Sequence, residues 1–173
     1  MMALAKKLRM YLWQISTIAF AAAASAVAAE EDAWGGIRLF DADLSAKYQT
    51  VFTPTDGEGY ATITFDINTM EIEWEIQHSN LSSPPVGVHL HGPAQPGTNA
   101  VQIVDLGTNG LSNPITGKIK ISDAYAQYML LGWTYVLLKT ERYPEGEIRG
   151  KLDTVPPPNY LEQSQKWGRG EYE

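Results

Sequence analysis

Met70-Glu71-Ile72-Glu73-Trp74-Glu75-Ile76-Gln77 is the stretch that decides the fold. Met70, Ile72, Trp74 and Ile76 alternate strictly with three glutamates and a glutamine. A period of two puts one face in a core and the other in water, the mark of an antiparallel strand. Just upstream, Ala61, Ile63, Phe65 and Ile67 alternate with Tyr60, Thr62, Thr64 and Asp66. The Asn68-Thr69 link is short, so the two runs read as a hairpin.

Downstream, short runs recur with turn residues between them. Residues 86–91 read as a strand stopped by Gly92-Pro93, and residues 101–106 as another. Residues 117–122 make a fifth strand with Ile119 and Ile121 turned inward. Residues 133–140 are apolar on both faces, as a central strand should be, and residues 147–152 close the set. Residues 123–131 read as one short helix, capped by Ser122 or Asp123 and ended by Gly132. The expected fold is all-β: a single antiparallel β-sandwich of Greek-key-like type with one short helix.

The amino terminus has another purpose. Lys6, Lys7 and Arg9 precede an apolar stretch from Met10 to Ala24, and small-x-small cleavage patterns end at Ala28 and Ala29. That is the layout of a signal helix, too short for a stable membrane span and removed on export. The expected organisation is a signal peptide over 1–29, an acidic leader over 30–36, a β-domain over 37–153 and a Pro-rich polar tail over 154–173. The expected location is the periplasm or the extracellular space. The whole chain carries −7; removing three positive charges with residues 1–29 leaves −10. Such a surface repels phosphate backbones, which argues against nucleic acid as a partner. There are no cysteines, so disulfides, thiolate catalysis and Cys-based zinc sites are excluded.

The histidines are His78, His89 and His91. His89 and His91, two apart on a strand, leave the same face, with Val88 and Leu90 on the other. Two imidazoles so placed can share copper or zinc, with His78 as the candidate third ligand. Each imidazole could equally hydrogen-bond a loop carbonyl, and two ligands do not complete a zinc site. Glu147-Ile148-Arg149-Gly150 is the second cluster. Arg149 could clamp a carboxylate ligand, but a cross-strand salt bridge is the expected role. Gly146 and Gly150 suggest a tight turn and a bulge. Glu71, Glu73 and Glu75 read as a solvated strand face rather than glycosidase carboxylates. No serine sits on a nucleophile elbow, and there is no phosphate-cradling Gly loop. Asn80-Leu81-Ser82 fits the N-glycosylation pattern.

Three segments together resemble the CHRD domain. Asn80-Leu81 leads through Ser82-Ser83-Pro84-Pro85 into Val88-His89-Leu90-His91-Gly92-Pro93-Ala94, close to that family's His-x-His-Gly-Pro-Ala. Tyr135-Val136-Leu137-Leu138-Lys139-Thr140 parallels its Tyr-Val-x-x-His-Thr, and Pro144-Glu145-Gly146-Glu147-Ile148-Arg149-Gly150 its Pro-x-Gly-Glu-Ile-Arg-Gly. The resemblance implies a single β-sandwich-like domain working outside the cytoplasm. Lys139 stands where the family often has histidine; if that histidine is a ligand in relatives, this chain has lost it. Lys139 could instead pair with Glu141 or Glu147, or the third-ligand role could pass to His78. A looser similarity to copper–zinc superoxide dismutase stops at the His-x-His strand, because that enzyme's other histidines and its cysteines have no counterpart. The expected function is a non-enzymatic binding or structural module of the cell envelope, its partner an envelope or extracellular protein or a matrix component. The alternative is a copper- or zinc-binding metalloprotein using His89, His91 and His78.

Overall fold

The computed structural model of the protein describes residues 35–95 and 97–156. The signal segment, its cleavage sites, most of the acidic leader and most of the Pro-rich tail lie outside the described residues. Every element belongs to the unit that begins at Ile37. In chain order these are β1 (Ile37–Ser45), a 3-10 turn (Ala46–Tyr48), β2 (Glu58–Asp66), β3 (Glu71–Ser79), β4 (Pro85–His91), β5 (Gln102–Asp105), β6 (Ile115–Lys120), α1 (Asp123–Leu130), β7 (Tyr135–Thr140), β8 (Ile148–Lys151) and β9 (Asp153–Val155).

The strands form one antiparallel sheet in the order β5-β4-β7-β8-β1-β2-β3-β6, with β9 also paired to β1. The all-β antiparallel fold with one short helix is therefore present, as a single sheet that curls. Across the curl, Trp74 on β3 donates its indole N–H to the Leu106 carbonyl just beyond β5, at 2.9 Å. Inside the curl lies one core, to which Phe40, Ile63, Ile72, Leu90, Leu138 and Ile148 contribute fully buried side chains from six strands. Each such side chain contributes about 1.5–3 kcal/mol relative to exposure.

The hairpin forms as its alternation dictates: Ala61, Ile63 and Phe65 face Ile76, Trp74 and Ile72 across the β2–β3 register. Met70 belongs to the turn, at φ 59°, not to the strand. Gly117 on β6 lies opposite Trp74, and a Cβ there would stand 2.2 Å from the indole, so only glycine leaves room for the ring. Ile121 is buried, but Ile119 is 41% exposed. The expectation that both turn inward fails because β6 is the last strand of the sheet, with no neighbour beyond it to cover Ile119. α1 starts at Ser122, whose hydroxyl accepts from the Tyr125 N–H, and Gly132 follows it at φ 69°. β9 carries the sheet two residues past the expected domain end at 153. No helix of the described residues is long and apolar enough to cross a membrane.

Candidate functional site

β4, β7 and β8 lie side by side, and their faces away from the core carry the groups singled out in the sequence. Val88 and Leu90 are fully buried in the core, so His89 and His91 point outward, and His91 meets the segment leading into β5. That segment is pinned at several points. Gly92 N–H donates to Val101 O and Ala94 N–H to Trp133 O. The Ala100 carbonyl accepts from His91 Nδ1 at 2.9 Å, and the Ala100 N–H donates to the Tyr135 hydroxyl at 3.1 Å.

Because a carbonyl only accepts, His91 must carry its proton on Nδ1. Its Nε2 then holds a lone pair, and that atom is buried without a hydrogen-bond partner among the described residues. His89 Nδ1 is likewise buried and unpartnered, while its Nε2 stands 4.0 Å from the Asp105 carboxylate on β5. The two imidazole centroids are 6.0 Å apart. A Cβ on Gly87 would come within 2.9 Å of the His89 ring, so this glycine makes room for it. Burial lowers both histidine pKa values. Asp105 opposes the shift at His89 and the Ala100 carbonyl opposes it at His91, while the Lys139 charge adds to it at both.

His78 is elsewhere. It sits on β3, with four strands between it and β4 in the sheet order. Its backbone N–H and carbonyl are both held by Asn113, its Nε2 is buried and unpartnered, and burial lowers its pKa. No group of three or more His, Asp or Glu side chains placed to hold one metal ion occurs among the described residues.

Glu147 is fully buried at 0% exposure, yet it is satisfied. Oε1 accepts from the Thr55 hydroxyl at 2.6 Å and the Ser82 N–H at 2.7 Å; Oε2 accepts from the Ser82 hydroxyl at 2.7 Å and the Thr140 hydroxyl at 2.5 Å. Burial would raise its pKa, but these four bonds outweigh burial and hold the carboxyl below its ordinary range. Glu147 thereby ties the loop before β2 and the loop before β4 to the end of β7. Ser82 of the glycosylation pattern is thus engaged as a donor to Glu147.

Arg149 departs from expectation. None of the ion pairs among the described residues includes Arg149, Lys139 or Glu147. The salt bridge expected of Arg149 is replaced by loop contacts: one terminal nitrogen donates to Asn99 Oδ1 at 3.1 Å, the other to Thr98 O at 2.6 Å. Its register partner on β1 is Ser45, which offers no carboxylate. The guanidinium lies 3.5 Å from the Tyr135 ring centroid, and His91 stacks on that same ring at 5.0 Å. Lys139 makes no ion pair with Glu141 or Glu147 among the described residues, and Glu147 is already saturated by hydroxyl and amide donors. Gly146, at φ 134°, makes the expected tight turn; Gly150 makes no bulge, the β7–β8 register running unbroken through it, and instead admits the β1 backbone, since a Cβ there would lie 2.2 Å from Asp43 O.

The glutamate row of β3 faces away from the core, with Glu71 paired to Lys118 at 3.2 Å and Glu75 accepting from Gln77. Glu73 and Glu75 border an open depression of about 580 Å³. A second cavity, of about 540 Å³, opens beside Arg149 and Tyr135. Sequence reasoning missed Gln49, Thr134 and the β1 aspartates Asp41 and Asp43, which also line it.

The three motifs thus form one loop-stapled face on β4, β7 and β8, and the CHRD domain profile matches residues 40–152, which span it. The chain belongs to the CHRD domain family. In this CHRD domain the Glu-Ile-Arg motif works as a fastener, with Glu147 holding two loops and Arg149 a third. No curated protein and no solved structure matches the chain.

Proposed function

We propose that this CHRD domain is exported and acts as a non-enzymatic binding or structural module of the periplasm or cell envelope, presenting the stapled loops to a partner. The observation that carries this reading is the state of Glu147: enclosed, ionised and saturated by four donors. A carboxylate so held neither reaches a substrate nor exchanges a proton, so the motif's charge serves to fix loops, and fixed loops are what a recognition surface needs. The basic-apolar-small pattern of residues 1–29 supports export. The test has two parts. Fractionation of producing cells should recover the chain outside the cytoplasm, cut after Ala28 or Ala29. Labelled mature chain should bind isolated envelopes saturably and be displaced by unlabelled chain. Cytoplasmic retention, or binding that never saturates, would refute the proposal.

A second reading is favoured by one observation: His89 Nδ1 and His91 Nε2 are both buried, unpartnered and on one face. A backbone carbonyl on the other nitrogen of His91 is the usual support of a metal-binding imidazole. In this reading His89 and His91 hold copper or zinc with water completing the shell. Lys139, whose charge acts on both rings, weakens the site. Metal retained after loading and dialysis, and lost in His89→Ala/His91→Ala, supports it; no retention in either refutes it.

A further inference from the structure

We propose that the cavity beside Arg149 binds a small organic carboxylate that also carries hydroxyl or ammonium donors. This deepens the binding-module reading and rests on it.

At the Arg149 end of the cavity, the polar atoms left over are donors. Arg149, 5% exposed, spends one N–H of each terminal nitrogen on the 98–99 segment and faces no carboxylate among the described residues. Thr134 is 2% exposed, and its hydroxyl has no partner among the described residues. The Gln49 amide nitrogen, packed beside Gly146 behind the cavity wall, is buried and also without a partner among the described residues. All three residues line the same space. Buried donors without acceptors are costly, and a guanidinium is most fully satisfied by a planar, acceptor-only group. A carboxylate is that group.

The opposite wall defines the rest of the ligand. Asp41, Asp43 and Ser45 share one face of β1, because Phe40, Ala42 and Leu44 point into the core. Arg149 sits opposite Ser45, so Asp43 and Asp41 follow one and two pleats farther along, about 7 and 13 Å away. Asp41 accepts from the Tyr60 hydroxyl and Asp153 pairs with Lys151, whereas Asp43 makes no side-chain hydrogen bond among the described residues. The cavity is therefore donor-rich at the Arg149 end, while its other wall mixes the Asp41, Asp43 and Asp153 carboxylates with Lys47 and Lys151 and leaves Asp43 as an unspent acceptor. A volume of about 540 Å³ falls in the range of small-molecule sites and exceeds what a bare anion fills.

The test is a titration of the full mature chain, followed by calorimetry and by NMR of the arginine side chains. The probes are L-lactate, L-glutamate and D-glucuronate, with lactamide and D-glucose as neutral counterparts and inorganic phosphate as a plain anion. At least one carboxylate should bind saturably below about 10 mM, a fragment-scale affinity, and shift the Arg149 side-chain signal. Lactamide, glucose and phosphate should bind at least tenfold more weakly. Thr134→Val/Gln49→Leu leaves the loop fastener intact and should weaken the carboxylate at least tenfold; Asp43→Asn should weaken it without abolishing it. No binding by any of the three carboxylates overturns the proposal, as does equal binding of phosphate or an unchanged affinity in Thr134→Val/Gln49→Leu. If the carboxylates fail while saturable envelope binding persists, this inference falls and the module reading stands; loss of both removes the two together.

Discussion

Thr140 donates its hydroxyl to Glu147 at 2.5 Å, with both side chains closed off from water. The pair joins the end of β7 to the start of β8, and Thr55 and Ser82 converge on the same carboxylate. Glu147→Gln would turn an acceptor-only group into one whose NH₂ faces donors. The expected cost is about 2–4 kcal/mol, because buried groups lose partners they cannot replace. Thr140→Val should cost less, about 1–2 kcal/mol. Urea unfolding checks both, and equal midpoints for wild type and Glu147→Gln would contradict the fastener role.

Arg149 fixes the 98–99 segment through a planar fork stacked on Tyr135. Lysine carries the charge but neither the plane nor the fork. Arg149→Lys should free residues 94–101 and speed their cleavage in limited proteolysis several-fold, with a loss of about 1–3 kcal/mol. Unchanged cleavage would mean that His91 and Tyr135 hold the segment unaided.

The curl of the sheet depends on Trp74. Gly117→Ala would place a methyl within the indole's own space and should cost about 1–3 kcal/mol. Trp74→Phe removes the bond to Leu106 O while keeping a ring, and should cost a similar amount. Thermal unfolding followed by circular dichroism reads both; a wild-type midpoint for Gly117→Ala would contradict the tight fit.

The hairpin was legible because alternation over two adjacent runs leaves little freedom of register. α1 was legible because Ser122 and Gly132 mark its ends. β1 was not singled out: its buried residues Phe40, Ala42 and Leu44 include a small one, and Asp41 and Asp43 between them also suit a loop. β9 is three residues leading into Pro156, below any periodic signal. Ile119 misled because alternation reports a face but not whether a neighbouring strand covers it. At the site, the histidine pair and the Glu-Ile-Arg motif were visible, but their partners were not. Thr98 and Asn99 lie about fifty residues before Arg149, and Thr55 lies 92 before Glu147, so only the folded topology brings them together.

All three histidines have pKa values lowered by burial from 6.5. The unfolded chain takes up protons near that value, whereas the folded chain resists them until lower pH. Stability from the neutral imidazoles is therefore complete above 6.5 and is lost as pH falls through the folded pKa values. The urea midpoint should fall between about pH 7.5 and about pH 5.5, and His89→Gln/His91→Gln should flatten that decline. A midpoint constant across this window in the wild type would contradict the burial of neutral rings. Glu147 contributes separately, its stabilisation disappearing only below the ordinary carboxylate range.

Lys139 tests the metal reading from the other side. Lys139→His removes a cation that acts on His89 and His91 and adds a third nitrogen beside them. Zinc or copper retention after dialysis should rise at least tenfold, since three nitrogens and water make a typical open zinc site. Unchanged retention would mean that the rings cannot converge on one ion.

β1 and β9 run antiparallel, with Leu39 opposite Val155 and Phe40 opposite Thr154. The first and last strands of the fold therefore begin and end side by side, at the same end of the sheet. Tension applied between Ile37 and Val155 loads the β1–β9 hydrogen bonds one after another, like a zipper, rather than all together in shear. β9 yields first, because three register pairs hold it to β1 whereas nine hold β1 to β2. A tether on both ends of the domain can thus give a little slack before the rest of the sheet is loaded.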